Sequence, residues 1–282
     1  MRNICFSLFL LVSGVCLLMC TSCNTCSRQK TVDDITIDLA DLAIDTSYVN
    51  IARKVFYALP TPIELAMVIK NLGIVYQPSL LNDPANASKY LTNQKMALNF
   101  GVYVTDLTYA GLFEQSQTVL RYKLSVKQLT EGLGLQSAID ISTIQHLEEK
   151  INDKDAVLRI ISDTYASCTA SLNENDRYFL TLAMFTGGWV EGMYIATSLI
   201  DEKQPSTENQ MKQLVIDQKL TFEMMWQVMS DLKDIPEVAS MMNDLSELAK
   251  LLDKIDVDNI TSQDYAKIKD QIQSLRQNIT KK

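Results

Sequence analysis

Between residues 179 and 200 the chain reads FLTLAMFTGGWVEGMYIATSLI, 22 residues with one charge, Glu191. A helix that is apolar nearly all round must be covered on every side, by lipid or by other protein. Lipid is the obvious alternative at this length, since roughly 20 apolar residues cross a bilayer. A carboxylate in the middle of a span is costly, however, and Gly188 and Gly192 are notches through which another backbone can approach. The run is therefore read as a buried central helix. A second run, LNFGVYVTDLTYA (98–110), has the same character, with one carboxylate at Asp106 and small residues four apart at Ala97 and Gly101. The matching small-residue spacing predicts that the two helices touch.

The rest of the chain supports helices around this pair. Only six prolines and nine glycines interrupt it, and Leu, Ala, Met, Lys, Gln and Glu fill the long segments; these are helix formers. The expected fold class is all-α, a compact multi-helix bundle of about ten helices near 48–58, 62–73, 88–112, 114–131, 139–151, 155–171, 175–200, 207–233, 237–253 and 262–279. Pro62 suits a first helical turn, Gly73 a helix end, and Ser88 and Thr261 are candidate N-caps. QPSLLNDPANA (77–87) is expected as an irregular loop, and no internal repeat is recognisable.

The last three helices carry the sharpest periodicity. Val238, Met241, Leu245, Leu248 and Leu252 alternate three- and four-residue steps, as do Tyr265, Ile268, Ile272, Leu275 and Ile279. Met211, Val215, Phe222, Met225, Met229 and Leu232 continue the theme, with Gln218 as the polar interruption. Each stripe buries one seam, so a coiled-coil-like three-helix part is expected at the C-terminal end.

The N-terminal region reads as a targeting segment. Arg2 precedes an almost wholly apolar stretch from Ile4 to Met19, which gives way to Cys20-Thr-Ser-Cys23. Two small residues before a cysteine suit a lipoprotein signal peptidase. Cys20 follows bulky Met19, Cys16 would cut inside the apolar run, and Cys26 has no apolar residue nearby. The expected organisation is a signal peptide over 1–22, a lipidated N-terminus and tether over 23–47 with the acyl chains (palmitate and the like) on Cys23, and one all-helical domain over 48–282. Cleavage removes Arg2 and leaves 260 residues with 25 basic and 34 acidic side chains, a formal charge of −9. That spread of acid disfavours nucleic acid as a partner. The expected partners are the bilayer, reached through the acyl chains, and an envelope protein or a small ligand. The expected location is the cell envelope, on the outer membrane.

Signals for chemistry are sparse. Buried charges must find partners or a proton, so Asp106 and Glu191 are the informative pair. At helical spacing Asn99, Tyr103, Asp106 and Ala110 share one face, and Gly187, Glu191, Tyr194 and Ser198 another. If the faces oppose, Asn99, Tyr103, Asp106, Glu191 and Tyr194 form a polar cluster in the core, satisfied by tyrosine hydroxyls, Asn99, or Arg53, Arg121 or Arg159. That cluster reads first as structural, next as a ligand site, and last as a glycosidase-like carboxylate pair. The only histidine, His146, lies among polar neighbours in ISTIQHLEEK, and Cys168 reads as a buried inert thiol. DVDNITSQD (256–264) lacks the glycine and a ligand that a calcium loop needs. No metal, phosphate-loop or cofactor motif is present, so no cofactor is expected, and an enzyme is the less favoured class. The reading is a membrane-anchored binding or protein-interaction module; the alternative is a carboxylate-dependent hydrolase using Asp106 and Glu191.

YALPTPIELAMVIKNLG (57–73), LNFGVYVTDLTYA and GGWVEGMY (187–194) are similar to segments of an uncharacterised family of predicted lipoproteins from the Bacteroidota. The resemblance runs from about Phe56 to about Ile200. It implies a helical envelope protein and carries no catalytic residue across.

Overall fold

The computed structural model describes residues 75–139, 141–200 and 208–281. These belong to the second of two compact units into which the chain divides, Met1–Ala43 and Ile44–Lys282. Cys23, the signal peptide, the tether, Arg53 and the helices expected at 48–58 and 62–73 lie outside the described residues.

The fold is all-α. Among the described residues there are eight α-helices and no strand: α1 (Asn93–Leu112), α2 (Ser116–Gly132), α3 (Ile141–Glu149), α4 (Lys154–Glu174), α5 (Tyr178–Leu199), α6 (Glu208–Asp231), α7 (Pro236–Asp253) and α8 (Ser262–Thr280). The segment expected as an irregular loop holds two 3-10 turns, Pro78–Leu80 and Pro84–Lys89. The second turn corrects the expected start of α1. Ser88 donates to the Ala85 carbonyl within that turn, and Thr92 is the N-cap instead, accepting from the Lys95 amide. Thr261 does cap α8, in a reciprocal capping box with Asp264, which satisfies orphan amides at both positions.

The helix breaks between α1 and α2, α2 and α3, and α4 and α5 share one device. Glu114, Gly134 and Asp176 adopt left-handed φ angles of 58°, 71° and 55°. In each case the next residue's amide turns back onto the preceding helix: Gln115 to Ala110, Leu135 to Thr130 and Arg177 to Leu172. Such turns satisfy carbonyls that the helix end leaves open. The third one starts α5 at Tyr178 rather than at 175.

Helices α1 and α5 are the centre. From Asn99 to Leu112 every α1 residue is buried, as is every α5 residue from Leu180 to Met193. No described helix is long and apolar enough to cross a membrane; α5 is covered by protein. The two backbones meet at glycines. A Cβ on Gly101 would stand 1.9 Å from the Met184 carbonyl oxygen, and one on Gly187 would stand 1.9 Å from that of Leu98. Thr105 reinforces the contact by donating to the carbonyls of Gly101 (3.0 Å) and Gly188 (3.2 Å). Helices α2 and α4 pack on α1, while α6, α7 and α8 pack around α5. The stripes Val238 to Leu252 and Tyr265 to Leu275 are buried in this packing. Gln218, the polar break in the α6 stripe, is buried and accepts from Trp189 Nε1 at 3.0 Å.

Candidate functional site

The helical faces bearing Asp106 and Glu191 do oppose each other. Both carboxyls are fully buried, at 0% exposure, and share a side-chain hydrogen bond. The cation beside them is Arg276 of α8, not Arg121 or Arg159. Its Nε donates to Glu191 Oε2 at 3.0 Å and its Nη2 to Oε1 at 3.2 Å, a bidentate pair of the stronger kind. Nη2 also donates to the Leu80 carbonyl at 3.1 Å, and the guanidinium lies 4.6 Å from the centre of the Tyr194 ring, within cation–π range.

Asp106 is held from the other side. Its Oδ2 accepts from the Asn82 amide at 3.1 Å, and Asn82 Nδ2 donates to the Tyr90 hydroxyl at 3.0 Å. Its Oδ1 meets no donor among the described residues. Burial, and then the charge of Glu191, push the Asp106 carboxyl well above the ordinary carboxylate range. Burial leaves Glu191 raised as well, but Arg276 opposes that rise through its charge and its hydrogen bonds, which favours Glu191 over Asp106 as the ionised partner. Burial opposes the charge on Arg276; Glu191 more than offsets this and holds the guanidinium protonated. One proton and one cation thus serve two carboxyls, and the cluster is neutral.

The other expected members are distributed around this network. Tyr103 donates to the Asp83 carbonyl at 2.8 Å, and burial keeps its hydroxyl neutral. Asn99 is not part of the cluster. Its Nδ2 donates to the carbonyls of Lys95 (2.9 Å) and Ile279 (3.0 Å), so it holds the end of α8. Arg276, Asn82 and Tyr90 were the members missed. The sequence does carry a signal for the first: Arg276 extends the row Ile268, Ile272 at four-residue steps, a cation on a buried stripe.

This arrangement braces α1, α5, α8 and the Leu80–Asn82 segment against one another. A glycosidase needs its two carboxyls about 5 Å or more apart with substrate between them. Here the carboxyls touch, and neither reaches solvent.

A different part of the molecule is open. A groove of about 200 Å³ lies among the first turn of α1, the middle of α7 and the end of α8, with Thr186 of α5 below. Leu98, Met241, Leu245 and Leu275 form an apolar floor; Gln94, Lys95, Ser240, Asp244 and Asn278 supply polar groups. Lys95 Nζ donates to the Lys281 carbonyl at 2.9 Å, and Gln94 Nε2 to that of Glu237 at 3.1 Å. A second cavity, between α1, α2, α3 and α4, is about 40 Å³ and lined mainly by aliphatic side chains; that suffices for little more than water.

The remaining candidates are quiet. His146 is exposed. Cys168 is fully buried, and burial pushes its thiol up to about 12, so no thiolate forms near neutral pH. In the 256–264 segment Asp256 accepts from the Asp258 amide and from Asn259 Nδ2, and Ile260 is buried. Among the described residues no group of three or more His, Cys, Asp or Glu side chains is arranged to hold a metal ion. Compared with known protein families, curated proteins and solved structures, the chain shows no match.

Proposed function

We propose that this chain is a lipid-anchored envelope protein whose helical body is a binding module, with the groove between α1, α7 and α8 as its ligand site. One observation carries the reading. The groove joins an apolar floor to a few convergent polar groups within reach of solvent, the usual make-up of a small-ligand site. The carboxyls of Asp106 and Glu191, by contrast, are fully buried. A hydrolase built on Asp106 and Glu191 requires α1, α5 and α8 to part, which breaks the bidentate pair with Arg276. The anchor is supported by the small-residue step before Cys23 and the apolar run that precedes it.

Two measurements test this. Mass spectrometry of the mature N-terminus is expected to find acylated Cys23; an unmodified terminus at another residue refutes the anchor. A screen of small neutral and charged fragments by NMR is expected to move backbone signals of Leu98 and Leu245, and Ser240→Trp, which fills the groove from α7, is expected to abolish the shifts. Shifts that survive in Ser240→Trp refute the groove as the site.

A further inference from the structure

We infer that the groove selects a small zwitterion with an apolar body, of the amino-acid or dipeptide type, taking its ammonium on Asp244 and its carboxylate on Lys95. This rests on the groove being the ligand site, and it follows from the charges on its walls. Lys95 stands in the first turn of α1 and Asp244 in the middle of α7, so cation and anion line one groove from different helices. They do not neutralise each other. Asp244 is exposed on α7, and partial desolvation at the groove edge pushes its carboxyl above its ordinary value with no cation lowering it; no described side chain donates to it. Lys95 gives one proton to the Lys281 carbonyl; an ammonium has three to give, so it can serve a further acceptor.

Two unpaired opposite charges beside apolar surface contribute little to stability, and they favour a ligand of complementary charge pattern. A singly charged ligand leaves one wall unanswered. A polyanion such as a nucleotide meets Asp244, and a sugar has no use for the floor of Leu98, Met241, Leu245 and Leu275. A zwitterion answers both walls, and its apolar side chain covers the floor. The volume sets the scale: about 200 Å³ compares with the cavity of roughly 150 Å³ that takes up benzene. One or two small side chains fit.

The test uses the full chain in detergent micelles, with binding followed by NMR at Leu98 and Leu245. The probes are L-leucine, L-leucyl-L-leucine, isoamylamine and isocaproate. The zwitterions are expected to bind about tenfold more tightly than either singly charged analogue, the loss of one charge-assisted contact. Asp244→Asn is expected to bring leucine down to the affinity of isocaproate, and Lys95→Gln down to that of isoamylamine. If either analogue matches leucine on the unaltered protein, or fragments enter the groove and no zwitterion does, the zwitterion inference is overturned and the groove stands. If neither fragments nor these probes move the groove signals, both are overturned.

Discussion

Replacing Arg276 by methionine removes the cation from a fully buried pair of carboxyls while keeping most of the side-chain volume. Glu191 then loses both guanidinium donors to its oxygens and keeps only its hydrogen bond with Asp106, and the Leu80 carbonyl loses one donor. The cheapest remedy is to protonate Glu191. From its ordinary value of 4.5, holding that proton near pH 7 costs about 1.4 kcal/mol per pH unit, or about 3.5 kcal/mol in all. With the stranded carbonyl added, the loss approaches the roughly 3–5 kcal/mol observed when one partner of a buried pair is removed. The sign of the pH effect follows. In the variant the folded state holds a proton on Glu191 that the unfolded chain releases, so the deficit is smallest below the ordinary value and grows as pH rises. Urea unfolding followed by circular dichroism is expected to give a variant about 1–2 kcal/mol weaker than the parent near pH 4.5, from the stranded carbonyl, and about 4–5 kcal/mol weaker near pH 7. Adding Glu191→Gln to the Arg276→Met variant removes the proton demand and is expected to recover most of the loss. A deficit that ignores pH, or one that the double variant retains in full, refutes the neutral-cluster argument.

The same network makes the parent protein pH-dependent. Because the folded state keeps a proton on Asp106 above its ordinary value of 3.8, the contribution of this group to stability is fullest below about pH 4 and is lost as pH rises toward the raised value, by up to about 1.4 kcal/mol per pH unit. Asp106→Asn keeps a donor toward Glu191 and is expected to flatten that slope in urea midpoints taken across pH; an unchanged slope places the proton elsewhere. Gly101→Ala sets a Cβ 1.9 Å from the Met184 carbonyl oxygen and 2.6 Å from the Gly188 nitrogen. Since backbone cannot swing aside as a side-chain tip does, denaturant titration is expected to find a loss of about 3 kcal/mol or more, and a loss below about 1 kcal/mol contradicts the close packing of α1 on α5. Glu114 sits at φ 58° with an exposed side chain, so Glu114→Gly is expected to raise the thermal midpoint through a gain of about 0.5–1 kcal/mol; a lower midpoint means that this side chain has a role of its own.

Much of the helical architecture was legible before any coordinates. Helix formers and stripes at three- and four-residue steps fix where α6, α7 and α8 run and which faces they bury, because that periodicity is local. The blurred boundaries were those set by backbone geometry. Glu114 and Asp176 are non-glycine residues at left-handed φ, so they carry no glycine signature, and Ser88 looked like a cap until Pro84–Lys89 took it into a 3-10 turn.

For the candidate site the division is sharper. The sequence alone determined that α1 and α5 each bury one carboxylate, since nearly unbroken apolar surroundings leave a charge nowhere else to go, and small residues in both implied a close approach. Which cation answers them was decided by the tertiary structure. Arg276 lies 85 residues from Glu191 along the chain, and no local pattern links positions so far apart. The groove is likewise a product of packing: Lys95, Asp244 and Leu275 come to line one cavity only because α7 and the end of α8 meet the start of α1, and space between helices is written in no single segment.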